Sequence, residues 1–214
     1  MLPTADELLD GALGFSIPLT TTFRGTKVRA GLLLQGPAGW GEFAPFPEYG
    51  ADESARWLSA AIEAAWIGWP AARREVVPVN AIVPAVAPDV AAAMVRDSGC
   101  TTVKVKVAEP GQSVTDDVAR VAAVRDALGP AGRIRIDANG AWTPDAARDA
   151  LRALTKYDLE YVEQPCESLA ECAALRLVVD VPVAIDEALR KADDPHRVVG
   201  LSEAADLLVL KVPP

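Results

Sequence analysis

Lys104 and Lys106 lie two residues apart in "TTVKVKV" (101–107), and Asp137, Glu163, Asp186 and Lys211 follow at intervals of roughly 25 residues. On a strand the two lysines share one face, while Val103, Val105 and Val107 take the other. On an edge strand such lysines would be solvated guards against aggregation; on a strand buried on both faces they need a chemical reason. Three carboxylates with no His or Cys beside them are hard oxygen donors, suited to Mg²⁺, or Mn²⁺, rather than zinc. A lysine near them acts as a base only if its pKa falls from about 10.4 toward neutrality, and a neighbouring cation pushes that way.

Those side chains meet only if the chain brings them together. From Val76 onward, short β-rich runs alternate with alanine-rich helical stretches. The strand-like runs are 77–83, 101–107, 133–139, 159–164, 181–187 and 205–212. Six strands in this alternation imply α/β architecture with a parallel sheet, either doubly wound or closed as a (β/α) barrel. Polar residues gather where the strands end. Lys104 and Lys106 close the second, Asp137 and Asn139 the third, Glu163 the fourth, Asp186 and Glu187 the fifth, and Lys211 the sixth. Ligands bind at this end of parallel β/α folds. A lone Asp at a strand end reads as a cap or loop residue. Three acids in register between lysines read as a site, with Lys104 and Lys106 facing the barrel interior.

Residues 1–75 read differently. "GFSIPLTTTF", "TKVRAGLLLQG" and "GWGEFAPF" are strand-like, and "DESARWLSAAIEAAW" is helical with Asp52 as its N-cap, which together describe a small α+β domain. Trp57 and Trp66 belong to the helix core, and Gly36, Gly39 and Gly41 read as turn glycines. These glycines open no helix, so no nucleotide fingerprint is read.

A net charge of −9 argues against nucleic acid and anionic membrane surfaces as partners. Cys100, Cys166 and Cys172 form no C-x-x-C pair and fit reduced thiols of a cytoplasmic protein. The acidic start "MLPTADELLDGALGF" lacks a signal-peptide pattern. The apolar stretch 76–95 is broken by Pro78, Asn80, Pro84, Pro88 and Asp89 and is no membrane span.

"KVKV", "DANGAW", "EQP", "AIDEAL" and "LVLKVPP", in this order, resemble the enolase superfamily and its muconate-lactonizing subgroup. Within it, Phe23–Gly50 is most similar to the o-succinylbenzoate synthases of menaquinone biosynthesis. The resemblance implies a capping domain at 1–75 and a (β/α) barrel at 76–214. It implies Mg²⁺ on Asp137, Glu163 and Asp186, Lys106 as base, Lys104 orienting a small anionic carboxylate substrate, and Lys211 across the site. The reaction would be a syn dehydration of a cyclohexadiene hydroxy-carboxylate through an enediolate, with Lys106 also protonating the leaving hydroxyl. Asn139 and Arg24 are the candidate substrate contacts, with a structural turn role as the other reading of Asn139 and plain surface exposure as the other reading of Arg24. Glu187 points away from Asp186 and reads as support behind the site. His196, the single histidine, reads as structural.

The barrel portion is short beside the roughly 250 residues typical of an eight-stranded barrel, so it is expected to be truncated after its sixth strand. An N-acylamino acid racemase, a dipeptide epimerase or a cycloisomerase would retain the same lysines and acids. An inactive metal- or partner-binding fragment is the reading from another class.

Overall fold

The computed structural model describes residues 2–23, 25–192, 198 and 200–211. They fall into two compact units, one running up to Val76 with Lys211 grouped alongside it, the other Val77–Leu210.

The first unit opens with helix α1 (Ala5–Asp10), which the sequence reading did not anticipate. Its signal is "TADE": the Thr4 hydroxyl accepts from the Glu7 amide, and the Glu7 carboxylate accepts from the Thr4 amide. Strands β1 (Ala12–Phe23), β2 (Thr26–Gly36) and β3 (Gly39–Phe43) then form an antiparallel sheet in that order. Helix α2 (Ala51–Ile62) continues into a π turn at Glu63–Ile67. Its N-cap is Gly50 rather than Asp52, which sits in the first turn where a carboxylate complements the helix dipole. Gly36 and Gly41 are not turn residues. A Cβ at either would run into the carbonyl of Ala65 or Ala61, so both let the α2 segment lie directly on the sheet. Trp57 is buried there, and Trp66 is half-buried.

The second unit runs β4 (Ala81–Val83), α3 (Pro88–Ser98), β5 (Thr102–Lys106), α4 (Val114–Leu128), β6 (Arg133–Asp137), α5 (Pro144–Leu154), β7 (Leu159–Glu163), α6 (Leu169–Arg176), β8 (Val183–Ile185), α7 (Glu187–Arg190), α8 (Leu201–Ala204) and β9 (Leu207–Leu208). Among the described residues, β4 to β9 pair in chain order, every pair parallel. Helix starts follow local chemistry. Ser113 and Ser168 form capping boxes with Asp116 and Glu171, and Thr143 caps α5. Gly99 takes a left-handed φ of 64° to end α3.

One face of β5, β6 and β7 is apolar and helix-covered. Val103, Val105, Ile134, Ile136 and Val162 are fully buried in a cluster with Ala91, Val121, Val124, Ala147 and Leu151. Each such aliphatic side chain contributes about 1.5–3 kcal/mol by leaving water. The register carries the other face: Lys106 pairs with Asp137, Asp137 with Glu163, and Glu163 with Ala184. The expected sixth strand, 205–212, shrinks to Leu207–Leu208, which has one neighbour among the described residues and stays exposed. No helix among the described residues is long and apolar enough to cross a membrane.

Candidate active site

The face opposite the valines of β5 carries its lysines toward the acids of β6 and β7. Lys104 Nζ lies 3.0 Å from each carboxylate oxygen of Glu163 and 3.3 Å from Asp137 Oδ2. Lys106 Nζ lies 2.5 Å from Asp137 Oδ2 and 2.7 Å from Asn139 Oδ1. Asp137, Glu163 and Asp186 are all buried, as is Lys106. The lysines therefore face inward, which answers the question raised by two ammonium groups on one strand.

Burial depresses the Lys104 ammonium, but Asp137 and Glu163 together outweigh it and hold its pKa above the ordinary value. Asp137 is raised by burial, yet Lys106 and Lys104 pull it below its usual range. Glu163 goes the other way. Burial first, then the charge of Asp137, lifts it to about 7, with Asp186 adding to the rise. The acids are crowded, and their neutralisation by lysine is incomplete.

Two turns position the remaining groups. Asn139 adopts a left-handed φ of 48°, its amide donates to Asp137 Oδ1 at 3.0 Å, and its Nδ2 donates to Glu187 Oε1 at 3.0 Å. Glu187 thus supports Asn139, and its Oε2 is buried with no hydrogen-bond partner among the described residues. Gln164, immediately after β7, accepts from the Asp186 and Ala188 amides at 3.1 and 3.2 Å and donates to the Cys166 carbonyl at 2.8 Å. Arg190 Nε stands 3.2 Å from Asp186 Oδ1. Neither Gln164 nor Arg190 was singled out from sequence. The usable signals were a polar residue at a strand end before a proline, and an arginine four residues past an acid at a helix start.

Lys104, Lys106, Asp137, Asn139 and Glu163 thus form one connected network, which Asp186 adjoins through Glu163. Lys211 is exposed, past the end of β9 and outside the ladder. Arg24 and His196 lie outside the described residues. Among the described residues no group of three acid, thiol or imidazole side chains is arranged to hold a metal ion; each of the three acids pairs with lysine or arginine instead. The donor chemistry still fits a hard dication: three buried carboxylates at the ends of successive parallel strands, Asp186 just past β8, with Glu163 only partly neutralised.

Residues 87–213 match the enolase C-terminal domain-like family model, and residues 15–65 match the enolase N-terminal domain-like model. An o-succinylbenzoate synthase of Thermobifida fusca is 61% identical over 200 residues, covering 94% of this chain and 63% of that protein. The chain thus spans less than two thirds of the length of that curated relative. The L-Ala-D/L-Glu epimerase of Bacillus subtilis superposes with a TM-score of 0.75 at 21% identity, over 92% of this chain and 72% of that one. The o-succinylbenzoate synthase of Thermosynechococcus elongatus, solved with Mg in its active site, gives a TM-score of 0.57 at 25% identity over 82% and 68%.

Proposed function

The chain belongs to the enolase superfamily, and from that premise we propose that it carries the proton-transfer site of an o-succinylbenzoate synthase. The reaction is a carbon–oxygen lyase step of menaquinone biosynthesis, in which a cyclohexadiene hydroxy-carboxylate loses water to give o-succinylbenzoate. The observation that carries this reading is Lys106 Nζ held between Asp137 and Asn139 at the end of β5, with Lys104 bound to Glu163 beside it.

Asp137, Glu163 and Asp186 are the residues that would hold Mg²⁺, or Mn²⁺ as the other hard dication. When bound, the ion neutralises charge developing on the substrate carboxylate. In its unprotonated form, Lys106 Nζ takes the proton from the carbon next to that carboxylate. The electron pair of the broken C–H bond is first held in the enediolate, and then becomes the new double bond as the C–O bond breaks. Lys106 then returns the proton to the hydroxyl leaving from the same face, and water departs. Lys104 stays charged between its two acids and orients the substrate carboxylate. Lys211 supplies a further positive charge, and Asn139 and Arg24 contact the substrate. In this reading residues 1–75 are the capping domain, 76–214 the barrel domain, and the enzyme is cytoplasmic.

The 61% identity to a protein named for this activity supports the assignment over an epimerase, whose likeness at 21% identity concerns the fold alone. Turnover of the cyclohexadiene substrate with Mg²⁺ tests the reading. The chain should form o-succinylbenzoate, and Lys106→Ala should not. Equal turnover by the two proteins removes Lys106 from the mechanism.

A further inference from the structure

Helix α4 buries an ion pair that the proposed reaction does not use. Asp117 and Arg120 are almost fully enclosed, on the helix that also buries Val121 and Val124. Enclosing an ion costs several kcal/mol unless its hydrogen-bonding capacity is met. Arg120 makes four such bonds with its five N–H groups. Nη1 donates to Asp117 Oδ1 at 2.8 Å and to the Lys106 carbonyl at 2.9 Å, Nε donates to the Val86 carbonyl at 2.8 Å, and Nη2 donates to Gln112 Oε1. Asp117 Oδ2 accepts from the Ala108 amide at 3.0 Å. All these acceptors and that amide lie where the chain leaves β4 or β5, or on the opening turns of α4 itself.

The geometry of β5 explains why a cation is needed there. Backbone groups of successive strand residues point to alternate sides. The Val107 amide donates to the Asp137 carbonyl on β6, so the Lys106 carbonyl points toward β4. The β4 ladder stops at Val83, opposite Val105, and leaves that carbonyl without a strand. Arg120 takes the place of the missing strand and reaches across to Val86 on the segment leaving β4. Two residues on, Ala108 holds a left-handed φ of 60°, a conformation that is strained for a non-glycine residue and persists only when its surroundings impose it. Asp117 imposes it through the amide.

We propose that Arg120 and Asp117 are positioning residues for proton transfer, fixing the backbone from Lys106 to Ala108 so that Lys106 Nζ is presented between Asp137 and Asn139. This rests on the reading of Lys106 as the base. The same helix supplies a control. Arg125 donates to the carbonyls of Gly129, Gly132, Tyr157 and Asp158, all in turns that precede β6 and β7 and lie at the opposite end of the strands. It offers comparable bonding with no route to Lys106.

The test uses the full chain with Mg²⁺ and compares Arg120→Met, Asp117→Asn and Arg125→Met. Each is acetylated under limiting reagent, and Lys106 and Lys104 modification is quantified by peptide mass mapping. Arg120→Met and Asp117→Asn should raise the Lys106-to-Lys104 ratio several-fold, whereas Arg125→Met should leave it unchanged even where its melting temperature falls as far. In turnover, Arg120→Met should lower kcat about tenfold or more with KM nearly constant. An unchanged ratio in the Arg120 and Asp117 variants, with stability lost as in Arg125→Met, overturns the proposal. If Arg120→Met does not fold, Asp117→Asn, which keeps the side-chain shape, decides by the same ratio. Labelling needs no turnover. A changed ratio without dehydration therefore counts against the synthase reading alone, and an unchanged ratio with dehydration counts against positioning alone.

Discussion

The two ends of the parallel sheet are built from the same strands and helices, yet they use charge in opposite ways. Where the strands begin, Arg125 satisfies four backbone carbonyls, and Arg133 and Arg135 pair with Glu160 at a partly exposed rim. Where the strands finish, charged side chains meet one another: two lysines and two acids within hydrogen-bonding distance, all largely buried. The first arrangement stabilises turns, and its energetics are complete within the chain. The second is unbalanced, since Glu163 is pushed to about 7 by burial and by the charge of Asp137. Crowded, incompletely neutralised acids set this end of the sheet apart, and it is the end to which the proposed metal and substrate roles belong.

Substitutions at the two ends should therefore separate activity from stability. The largest effect is expected for Lys106→Ala, with turnover falling about a thousandfold or more while circular dichroism stays native, as loss of a general base implies. Glu163→Ala should abolish Mg²⁺ binding in titration calorimetry; a variant that binds as tightly as the parent would show the acids are not a metal site. Asp137→Ala leaves Lys104 and Lys106 without their shared anion, and the metal-free chain should lose about 3–5 kcal/mol in urea unfolding. Arg125→Met, at the other end, should lose about 1–3 kcal/mol for unsatisfied carbonyls, with kcat within a factor of about two of the parent. If it instead abolished turnover, the division between the ends would fail.

The smallest effect is a pH dependence at the start of β8. Hydrogen bonds from Arg176 hold the Asp206 carboxyl below its ordinary value, and the Val183 amide adds to this. A depressed carboxylate stabilises the fold above its unfolded pKa of about 3.9, and that contribution disappears as pH falls through the lower folded value. The difference in urea midpoint between the parent and Asp206→Asn should accordingly shrink between neutral pH and pH of about 3. A constant difference would mean the pair is inert.

Much of the site was legible because a β/α repeat turns distance along the chain into steps across a sheet. Lys104, Lys106, Asp137 and Glu163 could be placed on neighbouring strands from their spacing alone, and the ladder pairs them so. What escaped depends on tertiary contacts. Gly36 and Gly41 look like turn residues until a helix is laid on them. Asp117 and Arg120 look like a solvated pair on a helix until it is known that the Lys106 carbonyl lacks a strand. Gln164 acts through amides of a different turn, which no local pattern reveals. The sixth strand was overestimated because an apolar run alone does not show how many neighbours will pair with it.

The central claim is that this lysine–carboxylate face dehydrates rather than racemises. Its most direct test follows two reactions of the Mg²⁺-supplemented chain in deuterated solvent. One is formation of o-succinylbenzoate from the cyclohexadiene hydroxy-carboxylate. The other is α-proton exchange, read by NMR, in each enantiomer of an N-succinylamino acid. Dehydration should be the faster reaction, and Lys211→Arg, which keeps the charge but gives up a usable base, should retain part of it. Rapid exchange and racemisation of both enantiomers, outpacing dehydration, would contradict the account and make the site a racemase.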